Sequence, residues 1–190
     1  MENEKKSIAY KVQKGNRPKI EDVIACCLDG ELRAVAMDFA VWMRENKMPF
    51  KLYTSSTRSQ RAAYKNTPIC NIIVCIDGDN FLSGELKYWS LALNLVHMEK
   101  YEPIIRDEGL RIEFNSKISF CGHSRHGNGK TACDPDKICV GGRDMTVFGD
   151  GYDGICKWLW PFTENPDEAA VKIIKRLLEL ERQARDELNK

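Results

Sequence analysis

The sequence lacks a charge excess of one sign, a long hydrophobic run and any internal repeat. Its 29 basic and 28 acidic side chains leave a formal net charge of +1. This balance excludes a general attraction to nucleic acid or to an anionic membrane, so such binding would need a local patch. No stretch approaches the roughly 20 apolar residues of a membrane span, and the first residues lack the apolar core of a signal peptide. We therefore expect a cytoplasmic protein with no membrane partner.

The sequence also lacks the C-x2-C pair that identifies zinc ribbons, although it contains eight cysteines. Cytosolic thiols stay reduced, so these cysteines are not expected to form a disulfide framework. Three roles remain: buried thiol, metal ligand or catalytic thiol. Cys26, Cys27, Cys70 and Cys75 lie within apolar helix or strand patterns and are expected to act as small buried hydrophobes.

Hydrophobic periodicity predicts helices first, then strands, then a closing helix. Apolar residues at three- and four-residue spacing indicate helices, and alternating or β-branched runs indicate strands. The predicted helices are 18–28, 31–47, 98–108 with Gly109 as its C-terminal cap, and a last helix with Asn165 as its cap and Pro166 in its first position. The predicted strands are 50–54, 69–76, 87–95, 111–120 and 144–148.

This order predicts an α+β fold, in which an antiparallel sheet meander is packed by the N-terminal helices and a C-terminal helix. We expect residues 1–17 to form a loose N-terminal segment. Residues 18–190 should form a single α+β domain with a metal-binding insertion, rich in cysteine and histidine, at 121–156.

The order of elements resembles that of the small α/β domains of the YjbR/YdhG-like group, most of which have no characterised function. The resemblance covers residues 18–180 and includes the late strand-to-helix passage FTENPDEAAVKIIKRLL. The cysteine-rich insertion departs from that pattern, so the resemblance implies no site residue for this chain.

The insertion combines cysteine and histidine at spacings that could place four ligands around one zinc ion. Many glycines in the segment allow the tight turns that such ligands need. Glutamate, the usual general base of a catalytic zinc site, is absent from residues 115–163, which favours structural zinc. An iron–sulfur cluster and a loop of unligated cysteines remain alternatives. The predicted zinc ligands are four of these five residues: Cys121, Cys133, Cys139, Cys156 and His126.

A second candidate site is a basic patch in residues 51–65, a stretch that contains no acidic side chain. Basic side chains interleaved with aromatic rings are typical of surfaces that contact nucleic acid or phosphate. The alternative is a solvated strand edge, where basic residues prevent edge-to-edge pairing. The predicted contact residues are Lys51, Arg58, Arg61, Lys65, Tyr53 and Tyr64.

No other motif predicts catalysis. The P-loop fragment Gly129-Lys130-Thr131 has Ser124 where a glycine is required, and no nucleophile motif occurs. The sequence therefore favours a non-enzymatic, zinc-stabilised binding or regulatory protein. Its expected partner is a protein, and nucleic acid is a second possible partner through the basic patch. An inhibitor or accessory factor of nucleic-acid machinery would be a protein of this kind. The alternative is a metal-dependent hydrolase that uses the cysteine–histidine segment.

Overall fold

The computed structural model describes residues 18–52, 59–74, 89–110, 142–147, 150–156 and 162–188. Within these ranges the chain forms helices and strands in an α+β order, as the sequence predicts. The helices are α1 (Ile20–Cys27), α2 (Gly30–Glu45), α3 (Met98–Asp107) and α4 (Glu168–Glu187). The strands are β1 (Phe50–Leu52), β2 (Ser59–Tyr64), β3 (Thr67–Val74), β4 (Trp89–Leu93), β5 (Gly142–Val147), β6 (Asp150–Cys156) and β7 (Phe162–Glu164).

Five strands form one antiparallel sheet in the order β1-β2-β3-β4-β7, and β5 pairs with β6 in a separate two-stranded sheet. The first four strands follow chain order, which is the predicted meander, and β7 adds to its far side. The predicted strand at 144–148 is confirmed as β5. The predicted N-terminal segment 1–17 and the predicted strand at 111–120 lie outside the described residues.

The described residues divide into two compact units, each built from two stretches of chain. The first unit consists of the residues up to Ala92 together with Thr163–Lys172. The second unit consists of Leu93–Phe162 together with Ile173–Lys190. None of the described helices has both the length and the apolar character of a membrane span.

The core of the first unit is built around Phe39, which lies on the apolar side of α2 and is fully buried. Its ring centroid lies 6.2 Å from those of Trp42, Phe50 and Trp89, so it joins α2 to β1 and β4. Replacing such a buried ring with alanine costs about 3–5 kcal/mol. The predicted amphipathic helix thus packs its apolar side against the sheet.

Two helices end in the same backbone motif, although only one of them carries the expected glycine. After α3, Gly109 has a φ of +63° and the N–H of Leu110 donates to the carbonyl of Ile105. After α2, the corresponding residue is Lys47, with a φ of +62°, and the N–H of Met48 donates to the carbonyl of Met43. Both are Schellman motifs. The prediction for Gly109 is confirmed, and Lys47 adopts a left-handed conformation that a side chain disfavours.

The cap of the last helix differs from the predicted one. The side chain of Asp167, rather than that of Asn165, accepts a hydrogen bond of 2.7 Å from the N–H of Ala170 at the start of α4. Asn165 instead bonds to both backbone groups of Trp89, at 2.8 Å and 2.9 Å, and so continues the pairing of β7 with β4. Asparagine and aspartate are both common helix caps. Here strand pairing with Trp89 occupies Asn165, and Asp167 caps α4.

Pro103 lies inside α3. Strand β4 is buried on both sides at its start, because Ser90 is fully buried as well as Trp89. Neither the Ser90 hydroxyl nor the Trp89 ring nitrogen has a hydrogen-bond partner among the described residues.

Strand β2 was not predicted. It joins β3 through the two-residue turn Lys65-Asn66, whose φ angles of +47° and +65° are those of a type I′ turn. Positive φ at both central residues gives this turn a twist that matches the flanking strands. The hairpin fixes the register of β2 on β3, and that register sets Arg61 opposite Asn71.

Candidate functional site

One row of polar side chains crosses three strands of the first unit. The register pairs Lys51 of β1 with Arg61 of β2, and Arg61 with Asn71 of β3. Residues directly opposite in an antiparallel ladder point to the same face of a sheet. Lys51, Arg61 and Asn71 therefore share one face, which we call the outer face.

The inner face of the same strands is apolar and covered. It carries Ala62, Cys70 and Ile72, all fully buried, and the buried Gln60, whose side-chain amide donates to the carbonyl of Pro18 at 3.1 Å. Side chains alternate along a strand, so the residues between these buried ones, including Arg61 and Asn71, lie on the outer face. Burial raises the pKa of the Cys70 thiol above its ordinary value, so this thiol is a packing group, as the sequence predicts.

The outer row is positively charged. Lys51 is exposed, whereas Arg61 and Asn71 are half-buried. The Nε of Arg61 donates a hydrogen bond of 3.0 Å to the Oδ1 of Asn71. Among the described residues that alternation places on this face of β1, β2 and β3, none is acidic. The row can therefore attract an anion.

The other predicted contact residues do not join this row. Lys65 lies in the β2–β3 turn, with its Nζ 5.7 Å from the centroid of the Tyr64 ring. Alternation along β2 places Tyr64 on the opposite side of the strand from Arg61. Tyr53 and Arg58 lie outside the described residues. Sequence reasoning thus found two members of the row and missed Asn71, a polar position within the apolar run of β3.

The predicted metal segment is described only at one end. Cys156 ends β6, where its backbone pairs with Gly142 of β5. The other proposed ligands, Cys121, Cys133, Cys139 and His126, lie outside the described residues. Within the part of the chain that is described, no group of three or more histidine, cysteine or acidic side chains is placed to hold a metal ion. The zinc site remains a prediction.

A buried polar cluster lies in the second unit, centred on the carboxylate of Glu181 in α4. Glu181 is fully buried and accepts hydrogen bonds from the backbone N–H of His97 at 3.0 Å and from the Tyr101 hydroxyl at 2.8 Å. His97 Nδ1 lies 2.9 Å from Glu181 Oε1, and Arg185 Nε donates to the same oxygen at 2.7 Å. Arg185 also donates to the carbonyl of Asn94 at 3.0 Å.

These contacts give the cluster a structural role. A buried carboxylate is stable when it is paired and its lone pairs accept hydrogen bonds, and Glu181 meets both conditions. Two bonds with His97 and one with Asn94 tie α4 to the residues that connect β4 with α3, and the bond with Tyr101 ties it to α3. No sequence pattern indicates this cluster, because Glu181 lies in the charged run ELERQARDE and its partner His97 lies 84 residues away.

Comparison of the chain with protein-family models, with curated proteins and with solved structures finds no match.

Proposed function

We propose that this chain is a non-enzymatic binding protein whose outer sheet face contacts the phosphate backbone of nucleic acid. The observation that carries the proposal is the register that sets Lys51 directly opposite Arg61. Like charges in opposed positions of a ladder destabilise a sheet. The opposition therefore has a cost for the sheet, and it brings together two side chains of the types that supply most contacts to phosphate oxygens.

The charge distribution favours a contact that is local and sensitive to salt. The net charge of +1 provides no attraction over the whole surface, so the affinity would depend on a few phosphate contacts. Each neutralised phosphate contributes about −0.9, or about −0.7 for a single strand, to the slope of the logarithm of the association constant against the logarithm of the salt concentration. Lys51 and Arg61 together would account for about 1.4–1.8 of that slope.

Fluorescence anisotropy with labelled single-stranded and duplex DNA, at about 50 mM salt and above, tests the proposal. We expect Lys51→Ala combined with Arg61→Ala to weaken binding and to reduce the salt slope. The matched control is Lys100→Ala combined with Lys172→Ala, which removes the same charge from two exposed helix positions. Equal weakening by both double variants, or no binding by the wild type, would reject the outer face as a nucleic-acid contact.

The second part of the proposal is a structural zinc ion held by four residues of the set Cys121, Cys133, Cys139, Cys156 and His126. Thiolate and imidazole are the ligands that zinc takes in structural sites. Elemental analysis of protein never exposed to chelator should find about one zinc per chain. Because metal-binding free energy contributes to folding, Cys156→Ser should lower both the zinc content and the thermal stability, and Cys26→Ser should change neither the zinc content nor the metal dependence of stability. If the analysis instead finds iron, and the protein absorbs visible light, the site is an iron–sulfur cluster and the zinc proposal is wrong.

A further inference from the structure

His97 is held by a buried carboxylate through one of its two ring nitrogens. Its Nδ1 lies 2.9 Å from Oε1 of Glu181, whose side chain has no exposed surface. The carboxylate pairs with Arg185 as an anion, so it only accepts hydrogen bonds. In the neutral ring the proton therefore lies on Nδ1, and Nε2 keeps its lone pair. The fold thus sets both the plane of the ring and its tautomer.

The opposite edge of the His97 ring is accessible. The side chain is 26% exposed, and because Nδ1 faces a fully buried carboxylate, the exposed surface lies on the side of the ring away from it. Within the described ranges, no other side chain forms a hydrogen bond or an ion pair with this ring. In catalytic triads a carboxylate at Nδ1 stabilises the positive charge that the histidine ring acquires during the reaction. Nε2 of His97 is therefore placed to act as a nucleophile.

An unpaired cation lies close to this ring. The N–H of Lys100 donates to the carbonyl of His97 at 2.9 Å, and the Lys100 side chain is exposed. No acidic side chain in the described part of the chain pairs with Lys100. A cation in the first turn of a helix opposes the helix dipole, so the stability of α3 does not explain this lysine. Its charge favours a reactant that is an anion.

We infer that Nε2 of His97 accepts a phosphoryl group from a donor of the phosphoramidate class, to which the phosphohistidine of another protein belongs. Glu181 is the positioning residue. The lone pair of Nε2 forms a bond to phosphorus, and the phosphorus–nitrogen bond of the donor breaks. The donor nitrogen, which is protonated before the transfer, keeps the electron pair of the broken bond and leaves as a neutral amine. The His97 ring becomes positively charged, and Glu181 at Nδ1 offsets this charge. The inference depends on neither zinc nor nucleic acid.

Potassium phosphoramidate, incubated with the full chain at neutral pH, is the probe. We expect one phosphoryl group to be transferred rapidly, with the acid lability and alkali stability of phosphohistidine, and tandem mass spectrometry should place it on His97. The reference is the same residue in urea, where the contact with Glu181 is lost and labelling should be about tenfold slower. No labelling of His97 in the native protein, or equal rates in the native and unfolded chains, would overturn the proposal.

The positioning role of Glu181 has its own readout, the tautomer of the ring. Nitrogen NMR of the native protein should find the proton of neutral His97 on Nδ1; a proton on Nε2 would overturn the role. Glu181→Gln should reduce this preference and slow the labelling about tenfold, whereas the exposed Glu179→Gln in the same helix should change neither. The tautomer is read in the wild type, so this test stands even if Glu181→Gln does not fold.

Two reagents separate the charge of Lys100 from the reactivity of the ring. Phosphoramidate is an anion, and diethyl pyrocarbonate, which also modifies histidine nitrogen, is uncharged. Lys100→Ala should slow phosphorylation of His97 by about two- to fivefold, the effect of one exposed charge, and leave its reaction with diethyl pyrocarbonate unchanged. Equal slowing of both reactions, or of neither, would overturn the part of Lys100 in the site.

Discussion

Replacing Glu181 with glutamine removes the buried negative charge of the second unit while keeping the size of the side chain. In the wild type this carboxylate accepts from two groups of His97, from Tyr101 and from Arg185. Glutamine keeps one acceptor oxygen, but its NH2 group replaces the second oxygen and faces groups that also donate hydrogen bonds. Arg185, which is only 5% exposed, loses its charge partner. Removing one member of a buried pair costs about 3–5 kcal/mol, a large part of a typical stability of about 5–15 kcal/mol.

Chemical denaturation, followed by circular dichroism, measures this loss. Glu179→Gln is the matched control, because Glu179 lies in the same helix, is 40% exposed and pairs with Arg176 at 3.5 Å. An exposed pair of this kind contributes at most about 0.5 kcal/mol. In the double variant Glu181→Gln with Arg185→Gln the loss should be smaller than the sum of the single losses, because no unpaired charge remains. A cost for Glu181→Gln of about 1 kcal/mol or less, similar to that of the control, would refute the reasoning.

Three further outcomes are expected from the described residues. Lys47→Gly should raise the free energy of unfolding by about 1 kcal/mol, because glycine adopts a φ of +62° without strain; Lys47→Ala should not, and equal effects of the two would contradict the cap geometry. Ser90→Ala should be neutral or stabilising by about 1 kcal/mol, since it removes a buried hydroxyl that has no partner among the described residues; a loss above that size in urea denaturation would show that the hydroxyl is hydrogen-bonded. Cys70 should resist alkylation in native protein at mildly alkaline pH and react after unfolding, because burial raises the pKa of its thiol and covers it; rapid labelling of the native state, read by mass spectrometry, would contradict this.

The elements with strong periodicity could be predicted from the sequence, and those fixed by local chemistry could not. Helix α2 follows from its apolar spacing, and the cap at Gly109 follows from a residue that tolerates positive φ. Strand β2 was missed because SQRAAY contains no β-branched residue and its turn contains no glycine. The pairing of β2 with β1 and β3 explains why these residues are extended.

The candidate site was predictable in composition but not in arrangement. The absence of acidic residues from 51–65 pointed to Lys51 and Arg61, whereas their opposition depends on the register of β1 on β2. The register of β2 on β3, set by the hairpin turn, brings in Asn71, which lies outside that stretch of sequence. The Glu181 cluster was not predictable, because Glu181 and its partner His97 are 84 residues apart and each is an ordinary polar residue alone.

The most direct test of the central claim is a map of the DNA contact at residue level. In an NMR titration with a DNA oligonucleotide, we predict that the largest amide shifts fall at Lys51, Arg61 and Asn71 on the outer face, and that they diminish as salt is raised. The amide signals of residues in α3, such as Glu99 and Lys100, should not shift. Shifts confined to α3 or α4, or no shift at the three outer-face residues when DNA is bound, would contradict the account.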